Sequence, residues 1–159
     1  MRRFIPLSLA VLLFAGTART EAQTAPHAPI TATGNGVERY AEGASRFPFS
    51  MAVRAGETLY ISGQIGAGSA GLAKGFEAQS RQAMDNVFAV LKYTGLAPDD
   101  LVKCTIMIGD MSKWATFNDV YQSYFQPGHY PARSAFGANG LALGAELEVD
   151  CIAHMPHKP

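Results

Sequence analysis

Leu59-Tyr60-Ile61-Ser62-Gly63-Gln64-Ile65 alternates, with Leu59, Ile61 and Ile65 on one face and Tyr60, Ser62 and Gln64 on the other. A period of two marks a strand that buries one side. Upstream, Ser50 to Val53 reads as its hairpin partner, turned by Ala55-Gly56-Glu57. Downstream the period lengthens. Phe76, Ala83, Val87, Val90 and Leu91 share a side, while Gln79, Arg81, Gln82 and Asp85 fall mostly elsewhere, which predicts a helix from Phe76 to Thr94. Gly95 is a natural stop, with Pro98 shortly after it.

Val102, Cys104, Ile106 and Ile108 then alternate with Lys103, Thr105 and Met107, a further strand. Asp110 or Ser112 can cap the next helix, whose Trp114, Phe117, Tyr121 and Phe125 recur at helical spacing and read as core. After the Gln126-Pro127-Gly128 break come strands over Arg133 to Ala138 and Ala145 to His154. In the last, Leu147, Val149, Cys151 and Ala153 face one way and Glu146, Glu148 and Asp150 the other. The order is hairpin, helix, strand, helix, strand, strand, an α+β chain whose two helices cover one face of the sheet. The uncovered face would carry Ser62, Gln64, Thr105, Met107, Glu148 and Ile152. Met107 and Ile152 point to an oligomer interface, since a solvated face should be more charged.

The 159 residues suffice for one domain, and 48% apolar with 16% charged residues is ordinary for a globular chain. Formal net charge is zero, and no basic stripe is visible, which argues against a nucleic-acid partner. The four histidines form no ligand-like cluster and Cys104 and Cys151 have no CxxC spacing, so no metal is expected. Two states remain open for that cysteine pair, a disulfide or two buried free thiols.

Arg2 and Arg3, the apolar run from Ile5 to Gly16, and small residues up to Ala22 read as a signal peptide over residues 1–22, its apolar run too short for a spanning anchor. Residues 23–36 read as a loosely attached leader and 37–155 as the domain. The expected location is periplasmic or secreted, with no membrane contact after cleavage. Gly66-Ala67-Gly68-Ser69-Ala70-Gly71 matches GxGxxG formally, yet the helix opens only beyond Lys74-Gly75, so it reads as a flexible loop rather than a phosphate cradle.

Pro131-Ala132-Arg133-Ser134 is more informative. Arg133 is either a structural arginine paired with Glu148 or another acid, or a guanidinium fork for a ligand carboxylate. Glu148, Asn118 and Ser62-Gly63 name no reaction singly. Together with Pro48-Phe49-Ser50-Met51-Ala52-Val53, Gln79 to Asn86, Trp114-Ala115-Thr116-Phe117-Asn118 and Glu146 to Ala153, these pieces resemble the RidA (YjgF) family in order and spacing, from about Phe47 to His154.

The resemblance implies a chorismate-mutase-like mixed sheet with two helices on one face, and a homotrimer with ligand clefts between subunits. It implies hydrolytic deamination of 2-imino or enamino acids, such as 2-iminopropanoate, to 2-oxo acids and ammonia, without a cofactor. Arg133 would bind the carboxylate and Glu148 would position or activate water. Ser62 and Gly63 would line the cleft, with Asn118 near it. Two positions depart from the family pattern. Phe49 stands where tyrosine is common, which removes a hydroxyl donor, and Ala135 stands where cysteine is frequent, which removes a thiol. These departures leave room for an exported, non-catalytic carboxylate-binding or chaperone-like protein. An endoribonuclease role, a label some family members carry, is opposed by the charge balance and by the lack of an acid–base pair.

Overall fold

The computed structural model describes residues 31–32, 35–41 and 47–156. The expected signal peptide and its cleavage point lie outside these residues, as does most of the leader. Where the leader is described, Thr31–Ala32 (β1) pairs antiparallel with Val37–Tyr40 (β2), so ordered pairing begins before the expected boundary at Val37. Ala52–Ala55 (β3) and Thr58–Ile65 (β4) form the expected hairpin about Gly56, whose φ of 62° suits the turn.

Ala67–Gly68 (β5) and Gly71–Leu72 (β6) make a minute second sheet, which corrects the flexible-loop reading. Asn86 Nδ2 donates to the carbonyls of Ile65 and Ala67, tying this hairpin to the helix Phe76–Thr94 (α1). Gly66 packs so tightly on α1 that a Cβ there would collide with Gln79 backbone. The remaining elements are Leu101–Ile108 (β7), Trp114–Gln122 (α2), Ala132–Gly137 (β8) and Leu147–His154 (β9). The main sheet runs β1-β2-β3-β4-β9-β7-β8, antiparallel throughout except for the β7–β8 pair, which α2 connects.

The core lies between the sheet and the two helices. Leu59, Ile61, Cys104, Ile106, Ile108, Leu147, Val149 and Cys151 meet Ala83, Met84, Val87 and Leu91 of α1 and Phe117 and Tyr121 of α2, all buried. Each large side chain so buried contributes about 1.5–3 kcal/mol. Gly95 closes α1 in the left-handed conformation, its N–H returned to the last-turn carbonyls. Asp110 accepts from Ser112 N, but it caps a single 3-10 turn ahead of α2 rather than α2 itself. Gln79 departs from its expected solvent side. It is buried, accepting from Glu146 N at 2.9 Å, because the chain entering β9 folds onto α1.

Two β-bulges overturn the simple alternation. In β4, Ile61 opposes Cys151 but Gln64 opposes Val149, leaving Ser62 and Gly63 against Asp150 alone. One extra residue reverses every later side chain. Ile65 therefore joins Glu148 on the uncovered face, and Gln64 moves to the covered side, opposite to expectation. In β7, Leu101 opposes Ala153 and Lys103 opposes Ile152. Val102 is the extra residue, 53% exposed, and Leu101 takes the buried place expected for it. Cys104 and Cys151 face each other across β7 and β9 and are joined by a disulfide, which resolves their open reading.

Candidate active site

The parallel register places Arg133 beside Cys104, on the helix-covered face at the sheet's edge strand. There the side chain lies against α2. Its Nη2 donates to Asn118 Oδ1 at 2.7 Å, and its guanidinium carbon lies 4.5 Å from the Trp114 ring centre and 4.6 Å from that of Tyr121. Aromatic faces attract a guanidinium without neutralising it. Among the described residues Arg133 meets no carboxylate, so the structural ion-pair reading is not realised. Asn118, Tyr121, Gln122, Tyr130, Pro131 and Arg133 line an open cavity of roughly 440 Å³. A half-buried cation with N–H donors to spare, at a cavity wall, is suited to a planar anion.

Glu148 stands elsewhere. It opposes Met107 across β7 and Ile65 across β4, on the uncovered face, where β8 contributes Phe136 in the same row. Burial, and then repulsion from Asp150 two residues along, push its carboxyl above the usual carboxylate range. Gly63 leaves the room it occupies, because a Cβ there would overlap Glu148 Oε1. The bulge thus serves Glu148 directly. Ser62 donates from Oγ to the Ser50 carbonyl at 2.7 Å, which fastens the chain after Phe49 to this face. Phe49 itself is 56% exposed and stacked on Phe47.

The expected site residues therefore fall into two groups. Arg133 and Asn118 meet on the covered face, with Ala135 two residues along the same strand and packed on the core. Glu148 and Gly63 meet on the other face, and Ser62 beside them turns its hydroxyl to the Ser50 carbonyl, next to Phe49. Within one chain the sheet separates them. Trp114, Tyr121, Gln122 and Tyr130 were not expected at the site. Their signal was present in part, since positions 114, 118, 121 and 122 share one side of a helix and Asn118 is the polar member beside the aromatic stripe. Among the described residues no group of three His, Cys, Asp or Glu side chains could hold a metal ion.

The family model described as Endoribonuclease L-PSP matches residues 41–155. This chain belongs to the RidA (YjgF) family. It is 38% identical over 109 residues to mouse 2-iminobutanoate/2-iminopropanoate deaminase, covering 67% of this chain and 80% of that protein. A RutC family protein of Aquifex aeolicus is 39% identical over 109 residues, with 67% and 87% covered. Among solved structures, the YjgF gene product from E. coli superposes with a TM-score of 0.68 at 30% identity, over 75% of this chain and 98% of that one. E. coli TdcF with bound serine gives 0.66 at 29% identity, over 73% and 93%. The mixed sheet with two helices is the chorismate-mutase-like α+β fold expected of a RidA-family chain.

Proposed function

We propose that this RidA-family chain hydrolyses 2-imino and enamino acids, such as 2-iminopropanoate and 2-iminobutanoate, to 2-oxo acids and ammonia, in clefts between the copies of a homotrimer. The observation that carries this reading is the Arg133 guanidinium, which meets no carboxylate among the described residues and is open to a cavity. The deaminase names of the mouse and other relatives support the reaction, and the serine held by TdcF supports a small carboxylate-bearing ligand. The separation of Arg133 from Glu148 supports assembly, because a cleft that uses both must draw them from two copies.

The chemistry asks little of the protein. An iminium carbon is already electrophilic, so holding the carboxylate on Arg133 fixes that carbon against a water. Glu148 from the adjoining copy accepts a proton as the water oxygen bonds to carbon, giving a carbinolamine. That proton passes to nitrogen, the C–N bond breaks and ammonia leaves, and the hydroxyl gives its own proton to the Glu148 carboxylate as the carbonyl forms. Burial raises the Glu148 carboxyl and so makes it a better proton acceptor than an ordinary carboxylate. The Cys104–Cys151 disulfide supports an exported life for the chain, since such bonds persist in oxidising compartments.

The test is pyruvate release from 2-aminoacrylate generated by a pyridoxal-phosphate enzyme, with and without the purified protein. Faster release is expected, with an acid limb shifted upward from that of an ordinary glutamate, because turnover needs Glu148 ionised. Glu148→Gln should abolish the acceleration while raising thermal stability. The sign follows from the raised carboxyl: ionised Glu148 disfavours the folded state, and stability declines as pH rises through its titration. No acceleration at any pH would sink catalysis. It would leave a second reading, a non-catalytic carboxylate-binding protein, which the hydroxyl-free Phe49 ring favours.

A further inference from the structure

Asn118, Trp114 and Tyr121 hold the Arg133 guanidinium, and all three are neutral. Asn118 Oδ1 accepts from Nη2 at 2.7 Å, and the ring centres of Trp114 and Tyr121 lie 4.5 and 4.6 Å from the guanidinium carbon. All stand on α2, where spacings of four and then three residues put them on one side of the helix. The amide meets the arginine through its oxygen because a guanidinium has donors and no acceptor. A carboxylate would take the same N–H more strongly. The next residue in the chain carries one. Asp119, however, is exposed and accepts from Gln122 Nε2 at 3.5 Å, and it makes no ion pair with Arg133. A step of one residue along α2 therefore decides whether this half-buried cation is neutralised within the chain.

We propose that Asn118 is a positioning residue that must be neutral: it fixes Arg133 at the cavity wall through one N–H and leaves the guanidinium's charge for the carboxylate of a bound 2-oxo or 2-imino acid. This rests on the reading of Arg133 as the carboxylate-binding residue. An aspartate in this place would hold the arginine at least as firmly, but it would answer the positive charge before any ligand arrived. An incoming carboxylate would then meet a neutral pair, with a like charge at close range. An alanine would leave the charge intact and let the long side chain move off the rings, so that binding would have to order it. Asparagine avoids both losses. The preference of the site for an acid over the corresponding amide then depends on Asn118, which acts through Arg133 and need not touch the ligand.

The test is calorimetric titration of 2-oxobutyrate, and of its primary amide, into the full-length protein and into Asn118→Asp, Asn118→Ala and Arg133→Lys, each paired with a ligand-free melting curve. Asn118→Asp should weaken 2-oxobutyrate binding by about 10- to 100-fold, the effect of one charge-assisted contact, and lose most of the preference for the acid over the amide. Its melting temperature should stay level or rise. Asn118→Ala should weaken binding only about threefold, the cost of ordering one freed side chain, and keep that preference. A merely structural asparagine would move the melting curve and leave the acid-to-amide preference alone in both variants. If Asn118→Asp prefers the acid as strongly as the parent while Arg133→Lys does not, the neutrality of Asn118 has no part in recognition and the arginine reading stands. Equal losses in Asn118→Asp and Asn118→Ala would also overturn it, since position alone would explain both. If the parent protein binds no 2-oxobutyrate, the arginine reading falls and takes this one with it.

Discussion

Replacing Arg133 with lysine should lower kcat/KM for 2-iminopropanoate by about 100-fold, and alanine should lower it further. The charge survives in lysine, but the planar fork does not. A carboxylate held by two parallel N–H groups keeps at best one from an ammonium, and a charge-assisted hydrogen bond is worth about 1.5–3 kcal/mol. Lysine also loses the delocalised plane that rests against the rings of Trp114 and Tyr121, and with it the bond that fixes the side chain to Asn118 Oδ1. Stability should change little, since no carboxylate among the described residues is orphaned by the substitution. Steady-state kinetics with a melting curve of each variant check both halves. Activity within threefold of the parent would show that the guanidinium does not carry recognition.

The second large effect concerns the covalent tie between β7 and β9. Reduction should lower the unfolding free energy by about 4 kcal/mol, the chain-entropy value for a loop closed across a sequence separation of 47 residues. Both sulfurs are buried, and thiols there would still pack as small apolar groups, so the loss arises mainly in the unfolded chain. The fold should therefore survive reduction with a lower denaturant midpoint. Guanidinium unfolding with and without reductant, with alkylation to count free thiols, measures it. Superimposable curves from a protein whose thiols alkylate only after reduction would remove the staple from the account.

Much of the architecture was legible because it is local. The spacing of Phe76, Ala83, Val87 and Leu91 with Gly95 behind them marked α1, and the alternation of Leu147 to Ala153 marked β9. The bulges were not legible. Whether Ser62 and Gly63 oppose one residue or two is decided by the partner strand, so the faces of Gln64 and Ile65 could not be read from β4 alone. Val102 failed for the same reason. Trp114 and Tyr121 were read correctly as core but incompletely, because helical spacing cannot tell a ring that fills a core from one that also offers a face to a guanidinium. The division of the candidate site residues between the two faces of the sheet depends on cross-strand pairing that no single segment encodes.

That division makes one measurement decisive. Arg133→Ala and Glu148→Gln chains, each inactive alone, should regain activity when co-expressed and assembled together. In a ring where each cleft takes its arginine from one copy and its carboxylate from the next, random mixing leaves about one quarter of the clefts intact. Recovery toward that level is the result expected of a cleft built from two copies. Mixed assemblies as inactive as either parent variant would mean that no cleft draws its guanidinium and its carboxylate from different chains.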